Sequence, residues 1–242
     1  MRSVTPSPRP PLPRPPELVL LDLDGTLVDS VPDLADCVNA ALEAVGLPRR
    51  AEREVRLWVG NGVVRLVHRS LTGEMEGEAE EGLFRRALER FQACYRERYA
   101  CRSRPFPGVL EGLAALKAAG IPLGCVTNKP GAFTRPLLEA LGLVPFLEVV
   151  VAGDETTRQK PHPEPLLEAA RRAGARPERT VLVGDSVNDV RAARAAGMPV
   201  VAVSYGYNHG RDIREAEPDA VLNSLVELPA LLGLPAAEAA GG

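Results

Sequence analysis

The chain has no surplus of positive charge: its 242 residues carry a formal net charge of −3. That excludes the basic surface by which a protein attracts nucleic acid or an anionic membrane. No apolar run approaches the roughly 20 residues needed to cross a bilayer. The four cysteines, Cys37, Cys94, Cys101 and Cys125, lack CxxC or zinc-like spacing and read as small, largely buried thiols of a reducing cytoplasm. The first sixteen residues hold seven prolines and no apolar core. This excludes a secretory signal and predicts a disordered extension over 1–16. A short Ala/Gly-rich stretch, 235–242, reads as a flexible tail. What remains is the ordinary composition of a globular protein, 45% apolar and 25% charged, long enough for one large domain or a core with a smaller one. No feature marks a particular oligomeric state.

Against that plain background one segment stands out. The apolar run Leu18 to Leu21 has the length of a strand buried on both faces, and it ends in Asp22-Leu23-Asp24-Gly25-Thr26. Alternation puts Asp22 and Asp24 on one side of the strand end with Leu23 turned away. Gly25 lets the chain turn sharply there. From Ser30 the period changes to helical for about 75 residues, with Gly60, Gly62 and the Gly73 to Gly77 stretch as breaks. This predicts an inserted helical subdomain over 30–104, leaving by Pro105-Phe106-Pro107-Gly108. From Val109 the chain alternates helix, glycine stop and apolar strand, with strands at Pro122–Thr127, Leu147–Val151, Thr180–Val183, Val200–Val203 and Ala220–Leu222, and with a last helix expected over Leu225–Leu232. Such repetition implies a parallel sheet with right-handed crossovers and helices on both faces. The core is therefore expected over 17–29 and 105–234.

The strand ends carry the chemistry. After the first come Asp22 and Asp24; after the next, Thr127-Asn128-Lys129; before a later helix, Lys160; after the fourth, Gly184-Asp185-Ser186-Val187-Asn188-Asp189. A parallel sheet brings all of these to one edge. Singly, Thr127 reads as a helix cap, Lys160 as a surface lysine and Asp185 as another cap. Four in order at strand ends read as a site. Asp22, Asp24, Asp185 and Asp189 would crowd four negative charges against one lysine, which calls for a cation. An all-oxygen set with no histidine or cysteine nearby favours Mg²⁺. Magnesium, a lysine, a threonine hydroxyl and turn amides together suit a phosphate group. The expected chemistry makes Asp22 the nucleophile that forms an aspartyl-phosphate and Asp24 the acid and then the base. Thr127 and the Asn128 amide bind phosphoryl oxygens, and Lys160 offsets charge. Asp185 is a direct metal ligand beside the Asp22 carboxylate and the Asp24 main-chain carbonyl. Asp189, one turn further on, orients a metal water or Lys160.

Taken together, Asp22-x-Asp24-Gly25-Thr26, Thr127, Lys160 and Gly184-Asp185-x-x-x-Asp189 resemble the ordered motifs of the haloacid dehalogenase superfamily, over essentially Glu17 to Leu234. The resemblance implies a Rossmann-like, three-layer α/β/α core, with the helical insertion as a mobile cap that closes over a small phosphorylated substrate. The second acid, Asp24, resembles the phosphatases of that superfamily rather than its dehalogenases. Trp58-Val59-Gly60-Asn61-Gly62, Thr127-Asn128-Lys129-Pro130, Lys160-Pro161-His162-Pro163-Glu164-Pro165 and Tyr205-Gly206-Tyr207-Asn208-His209-Gly210 look like its phosphoglycolate phosphatase subgroup. That subgroup implies hydrolysis of 2-phosphoglycolate to glycolate and phosphate. Selectivity for a small acid is expected from the cap, with Asn61 and Arg65 as candidates; Trp58 reads equally well as cap core. His68 and His162 have no metal-like company and read as packing or surface residues. The rival substrates are pyrophosphate and sugar phosphates. The rival of another class is a phospho-accepting signalling module, which needs neither a second acid nor a large cap.

Overall fold

The computed structural model describes residues 11–235. Strand β1 (Leu18–Leu21) is flanked on one side by β4 (Leu123–Val126) and β5 (Val149–Val151). On its other side lie β6 (Thr180–Gly184), β7 (Val200–Val203) and β8 (Ala220–Leu222). The sheet order is β5-β4-β1-β6-β7-β8, with every pairing parallel. Alternation divides the strand side chains between two layers. Val19, Leu21, Val181, Val183, Val201 and Val203 face one apolar cluster, and Leu18, Leu20, Leu182, Val200 and Ala202 face the other. Helices α5 (Val109–Ala118) and α9 (Leu228–Leu231) cover the first face. Helices α7 (Glu164–Ala173) and α8 (Val187–Ala196) cover the second. This is the three-layer α/β/α arrangement expected from the alternating pattern.

The insertion begins and ends at a small antiparallel ribbon, β2 (Val28–Asp29) with β3 (Arg104–Pro105). Between them run α1 (Val31–Ala44), α2 (Glu52–Trp58), α3 (Gly62–Thr72) and α4 (Glu81–Arg98). Leu34, Val38, Ala41 and Leu42 form the helical stripe by which α1 packs on Phe91 and Tyr95 of α4. Trp58 is buried in that cluster beneath the Arg50 guanidinium, 5.7 Å from its ring centroid. The cluster also takes in Tyr207 and Phe133, the latter from core helix α6 (Gly131–Ala140), so the cap rests on the core through apolar contact. Buried Asp33 ties the two ends of the insertion together. It accepts from the Arg102 and Ser103 amides and from Ser103 Oγ at 2.7–3.0 Å.

Two expectations require correction. The disordered start does not extend to residue 16, because Leu12 packs against the core cluster and Pro13 and Pro16 are buried. Residues 1–10 and 236–242 lie outside the described residues. The helix expected over Leu225–Leu232 is instead a 3₁₀ turn, Leu225–Glu227, followed by α9.

Candidate active site

The carboxyl ends of β1, β4 and β6, with the loop before α7, meet at one edge of the sheet. Lys160 is the centre of this edge. Its Nζ donates to the Val126 carbonyl at 2.8 Å and to Asp189 Oδ1 at 2.7 Å, and lies 2.8 Å from Asp22 Oδ1. Three protons and three acceptors leave the ammonium satisfied, which a lysine only 4% exposed requires. Burial alone would lower its pKa, but Asp189 and then Asp22 outweigh that and raise it. Asp189 is itself fixed: its Oδ2 accepts from the Ser186 amide at 3.1 Å and Ser186 Oγ at 2.6 Å, capping α8. With Asp189 as the leading partner of Lys160, Asp22 is under-compensated. Burial pushes its pKa well up, Lys160 opposes this, and Asp189 and Asp185 add to it.

Asp185 accepts from Thr26 Oγ1 at 3.0 Å and from the Tyr207 amide at 2.7 Å. Burial pushes it up to about 7, with Asp189 adding to the shift. The two loops around it are glycines by necessity. A Cβ on Gly25 would stand 2.4 Å from Asp185 Oδ2, and one on Gly206 only 2.1 Å from Asp185 Cβ.

Asp24 is held by a different lysine. Lys129 Nζ donates to its Oδ1 at 2.9 Å and Oδ2 at 3.0 Å, and Ser30 Oγ also donates to it. The lone lysine expected among the acids is therefore corrected to two. A sequence signal for the second existed, since the chain has only three lysines, Lys117, Lys129 and Lys160, among its 29 basic residues. Two of the three are buried here. Thr127 Oγ1 accepts from the Lys129 amide at 3.1 Å, leaving its own proton to point elsewhere. The Asn128 side chain is taken up by contacts within the protein. It brackets the Lys160 backbone, at 2.9 Å to both N–H and carbonyl, and donates to the Gly60 carbonyl of the cap at 3.1 Å. Its main-chain N–H meets no acceptor among the described residues.

Over these groups lies a cavity of about 40 Å³, room for a few waters at roughly 10–15 Å³ each. Asp22, Asp24, Thr127, Asn128, Lys129, Lys160, Ser186 and Asn188 form its floor, and Leu34, Val59, Gly60, Gly62, Val63 and Leu66 its cap side. Gly60 and Gly62 have φ of +131° and +79° and let this turn press onto the core, where Asn188 Nδ2 reaches the Gly60 carbonyl at 3.4 Å. Neither Asn61 nor Arg65 lines the cavity; both face an outer groove between cap and core. The reason for Arg65 is local. The 73–77 turn folds back beside it, and its guanidinium donates to the Met75 carbonyl at 2.9 Å and to Glu76 at 3.1 Å.

The Tyr205 to Gly210 segment joins the site to the β2–β3 ribbon where the cap begins. Tyr207 OH donates to Asp29 Oδ1 at 2.8 Å and accepts from the Ser30 amide at 3.0 Å, while the Tyr207 amide holds Asp185. His209 Nδ1 reaches the Leu57 carbonyl at 2.8 Å. A carbonyl only accepts, so Nδ1 carries the proton. His68 stacks on Phe84 with ring centroids 4.0 Å apart, and His162 lies beside Arg158 and Glu164.

The site suits a hard divalent cation. One oxygen each of Asp22, Asp185 and Asp189 lies within 4.8 Å of the others, and no nitrogen or sulfur ligand stands among them. Four carboxylates against two ammonium groups leave two negative charges without a counter-charge, which a divalent ion would supply. The Asp24 carboxylate takes no part in that cluster, because Lys129 and Ser30 hold it away.

The comparisons with known proteins agree with this geometry. A family model described as haloacid dehalogenase-like hydrolase matches residues 16–197. A phosphoglycolate phosphatase from Nitrosococcus oceani is 53% identical over 217 residues, covering 90% of this chain and 96% of the relative. One from Escherichia coli K12 is 42% identical, covering 91% and 94%. Among solved structures, a predicted phosphoglycolate phosphatase from Haemophilus somnus superposes with a TM-score of 0.84 at 38% identity, over 89% of this chain and 97% of that one. Its match to the family model, its core-and-cap architecture and its likeness to these relatives along nearly their whole length make this chain a member of the haloacid dehalogenase-like hydrolases.

Proposed function

We propose that the protein is a Mg²⁺-dependent phosphatase of reducing cytoplasm that hydrolyses 2-phosphoglycolate to glycolate and phosphate through an aspartyl-phosphate. The observation that carries the reading is the division of the two acids of β1: Asp22 is held by Lys160 beside Asp185, and Asp24 by Lys129 beneath a small capped cavity. Relatives that cover 90% and 91% of this chain carry the name phosphoglycolate phosphatase. No helix among the described residues is long and apolar enough to cross a membrane, and the four cysteines are free thiols.

In this reading the phosphate enters between Thr127 and the Asn128 amide, whose donors bind its oxygens, while the Lys160 ammonium offsets its charge. An Asp22 oxygen attacks phosphorus; the new O–P bond forms as the bond to the glycolate oxygen breaks. Asp24 gives its proton to that oxygen, and glycolate leaves. Asp24, now a carboxylate, takes a proton from water as the water oxygen attacks phosphorus, freeing phosphate and regenerating Asp22. Lys160, anchored by Asp189 and the Val126 carbonyl, keeps Asp22 pointed at phosphorus throughout. The Asp22 and Asp185 carboxylates and the Asp24 main-chain carbonyl would hold Mg²⁺. Bound there, it supplies positive charge against the phosphoryl oxygens and the nucleophile. Cap residues Leu34, Val59, Val63 and Leu66 keep bulk water from the intermediate.

The test is kcat/KM for 2-phosphoglycolate against pyrophosphate, sugar phosphates and simple esters, each with Mg²⁺ and with chelator. The expected result is a Mg²⁺-dependent preference for 2-phosphoglycolate. A preference for pyrophosphate or a sugar phosphate would overturn the substrate, and a phosphoenzyme lasting many minutes would overturn the enzyme.

A further inference from the structure

We propose that Lys129 is the specificity residue that binds the carboxylate of the substrate, an inference that rests on the 2-phosphoglycolate reading above. A small acid phosphate brings two anionic ends into the cavity, and the cavity lining offers two cations. Lys160 has no proton left for the second end: Val126, Asp22 and Asp189 take all three. The cap supplies no cation. Arg65 is turned to Met75 and Glu76, and Arg69 donates to the Trp58 and Met75 carbonyls at 2.7 and 2.8 Å. The cap residues that do line the cavity, Leu34, Val59, Val63 and Leu66, are apolar. A carboxylate placed among them without a counter-charge would pay a large desolvation cost.

Lys129 remains, and it is built to stay charged. It is 4% exposed, and its Nζ lies 4.9 Å from the centroid of the Tyr95 ring. Its ion pair with the Asp24 carboxylate offsets the cost of burying the ammonium. Its two contacts with Asp24 leave the ammonium able to face a further acceptor. Tyr95, from cap helix α4, brings a fully buried hydroxyl with no hydrogen-bond partner among the described residues. Burial pushes its pKa up to about 12, so it stays a neutral donor.

Connectivity of the substrate supplies the placement. The oxygen that receives the Asp24 proton must sit within hydrogen-bond reach of that carboxyl group. In 2-phosphoglycolate the carboxyl carbon is two bonds further on, at about 1.5 Å per bond. Lys129 Nζ, itself 2.9 Å from Asp24, is therefore the cation next to the carboxylate end. A phosphate ester with a neutral tail gains nothing from that charge. Selectivity for an acid then comes from the core loop after β4, not from cap residues Asn61 and Arg65.

Lys129→Met and Lys129→Arg should be compared with the unaltered protein on 2-phosphoglycolate and on 2-hydroxyethyl phosphate, which has a neutral tail of similar size. Lys129 also holds Asp24, so both esters will slow; the readout is the ratio of their kcat/KM values. Loss of a charge-assisted contact predicts a fall in the acid-to-neutral ratio of about ten- to a hundredfold in Lys129→Met. Lys129→Arg is expected to retain part of it. An equal loss on both esters would mean that Lys129 serves Asp24 alone and would overturn the inference. An unaltered protein with no preference for the acid would sink the substrate reading itself, and this inference with it.

The unaltered protein offers an independent check, because it has only three lysines. With ¹³C at lysine Cε, the Lys129 signal is assigned by its loss in Lys129→Met, and Lys117, outside the site, serves as the control. Glycolate with inorganic phosphate should shift the Lys129 signal, whereas ethylene glycol with inorganic phosphate should not. An unmoved Lys129 signal, or one moved equally by both, refutes carboxylate binding.

Discussion

Asp189→Asn tests whether Lys160 is held in place by a charge or only by shape. In the structure Asp189 uses both oxygens as acceptors, Oδ1 toward Lys160 and Oδ2 toward the Ser186 amide and hydroxyl. Asparagine has one acceptor oxygen and one NH₂ group. If its oxygen keeps the Ser186 amide, its NH₂ faces the Lys160 ammonium, donor against donor. If it turns over, the NH₂ faces the Ser186 N–H instead. Either way a buried donor loses its partner, and Lys160 loses the carboxylate that contributes most to its raised pKa. A hydrogen bond to a charged group contributes about 1.5–3 kcal/mol. At about 1.4 kcal/mol per tenfold, kcat should fall about ten- to a hundredfold. The assay is steady-state kinetics on 2-phosphoglycolate with saturating Mg²⁺, alongside a rapid-quench measurement of Asp22 phosphorylation. Loss is expected in the phosphorylation rate, with KM changed less, because Lys160 would be misaimed rather than absent. A kcat within about threefold of the unaltered protein, in a variant with unchanged circular dichroism, would refute the claim that Asp189 positions Lys160.

Three further outcomes are expected. Asp22→Asn should remove turnover by more than about a thousandfold and abolish phosphoenzyme, with the fold intact, because it neutralises a buried and under-compensated carboxylate; full activity ends the proposed mechanism. Mg²⁺ at about a hundred times its Kd should stabilise the protein by about 2.7 kcal/mol, seen as a rise in Tm of several degrees, and Asp185→Asn should lose most of that rise; an equal rise in both means the ion binds elsewhere. His209 is the pH-sensitive contact at the cap seam. Burial lowers its pKa, the Leu57 carbonyl opposes this, Arg69 and Arg211 add to it, and Glu76 offsets part of it. A histidine with a lowered folded-state pKa contributes stability above its ordinary value of about 6.5, lost as the pH falls through the folded value. Urea unfolding between pH 7 and 5 should therefore show a smaller loss of stability in His209→Gln; identical slopes would show that the ring does not titrate with unfolding.

Strand ends were legible because a parallel sheet leaves no freedom about where they meet. Once Leu18 to Leu21 and Thr180 to Val183 read as buried strands, Asp22 and Asp185 had to share an edge. Side-chain direction was not legible in the same way. The spacing of Arg65 from Gly62 fixes its turn on α3, but the 73–77 turn that captures its guanidinium is set by tertiary folding. Lys129 illustrates the opposite loss. It stands beside Thr127 and Asn128, for which the motif suggested phosphate-binding roles, while its own partner Asp24 is 105 residues away. The scarcity of lysine in the chain was the available sign, since an arginine-rich protein that keeps lysine at two buried points is using the compact ammonium for a reason. Proline content misled at the N-terminus, where Leu12, Pro13 and Pro16 find apolar surface that composition alone does not reveal.

The loops that hold Lys160, Asp185 and Asp24 also contact the cap, which ties the placement of these groups to the placement of the cap. Asn128 brackets the Lys160 backbone with the same side chain that binds the Gly60 carbonyl. Asn188, one residue before Asp189, reaches that carbonyl as well. The Tyr207 amide fixes Asp185, while its hydroxyl bridges Asp29 and Ser30 at the ribbon where the cap begins. Ser30 in turn donates to Asp24. A cap that lifted to admit substrate would take an acceptor from Asn128 and Asn188 and move the β2–β3 ribbon against Tyr207, so Lys160, Asp185 and Asp24 would each lose part of their support. In the proposed mechanism, entry of substrate would then loosen these groups and closure over it would restore them.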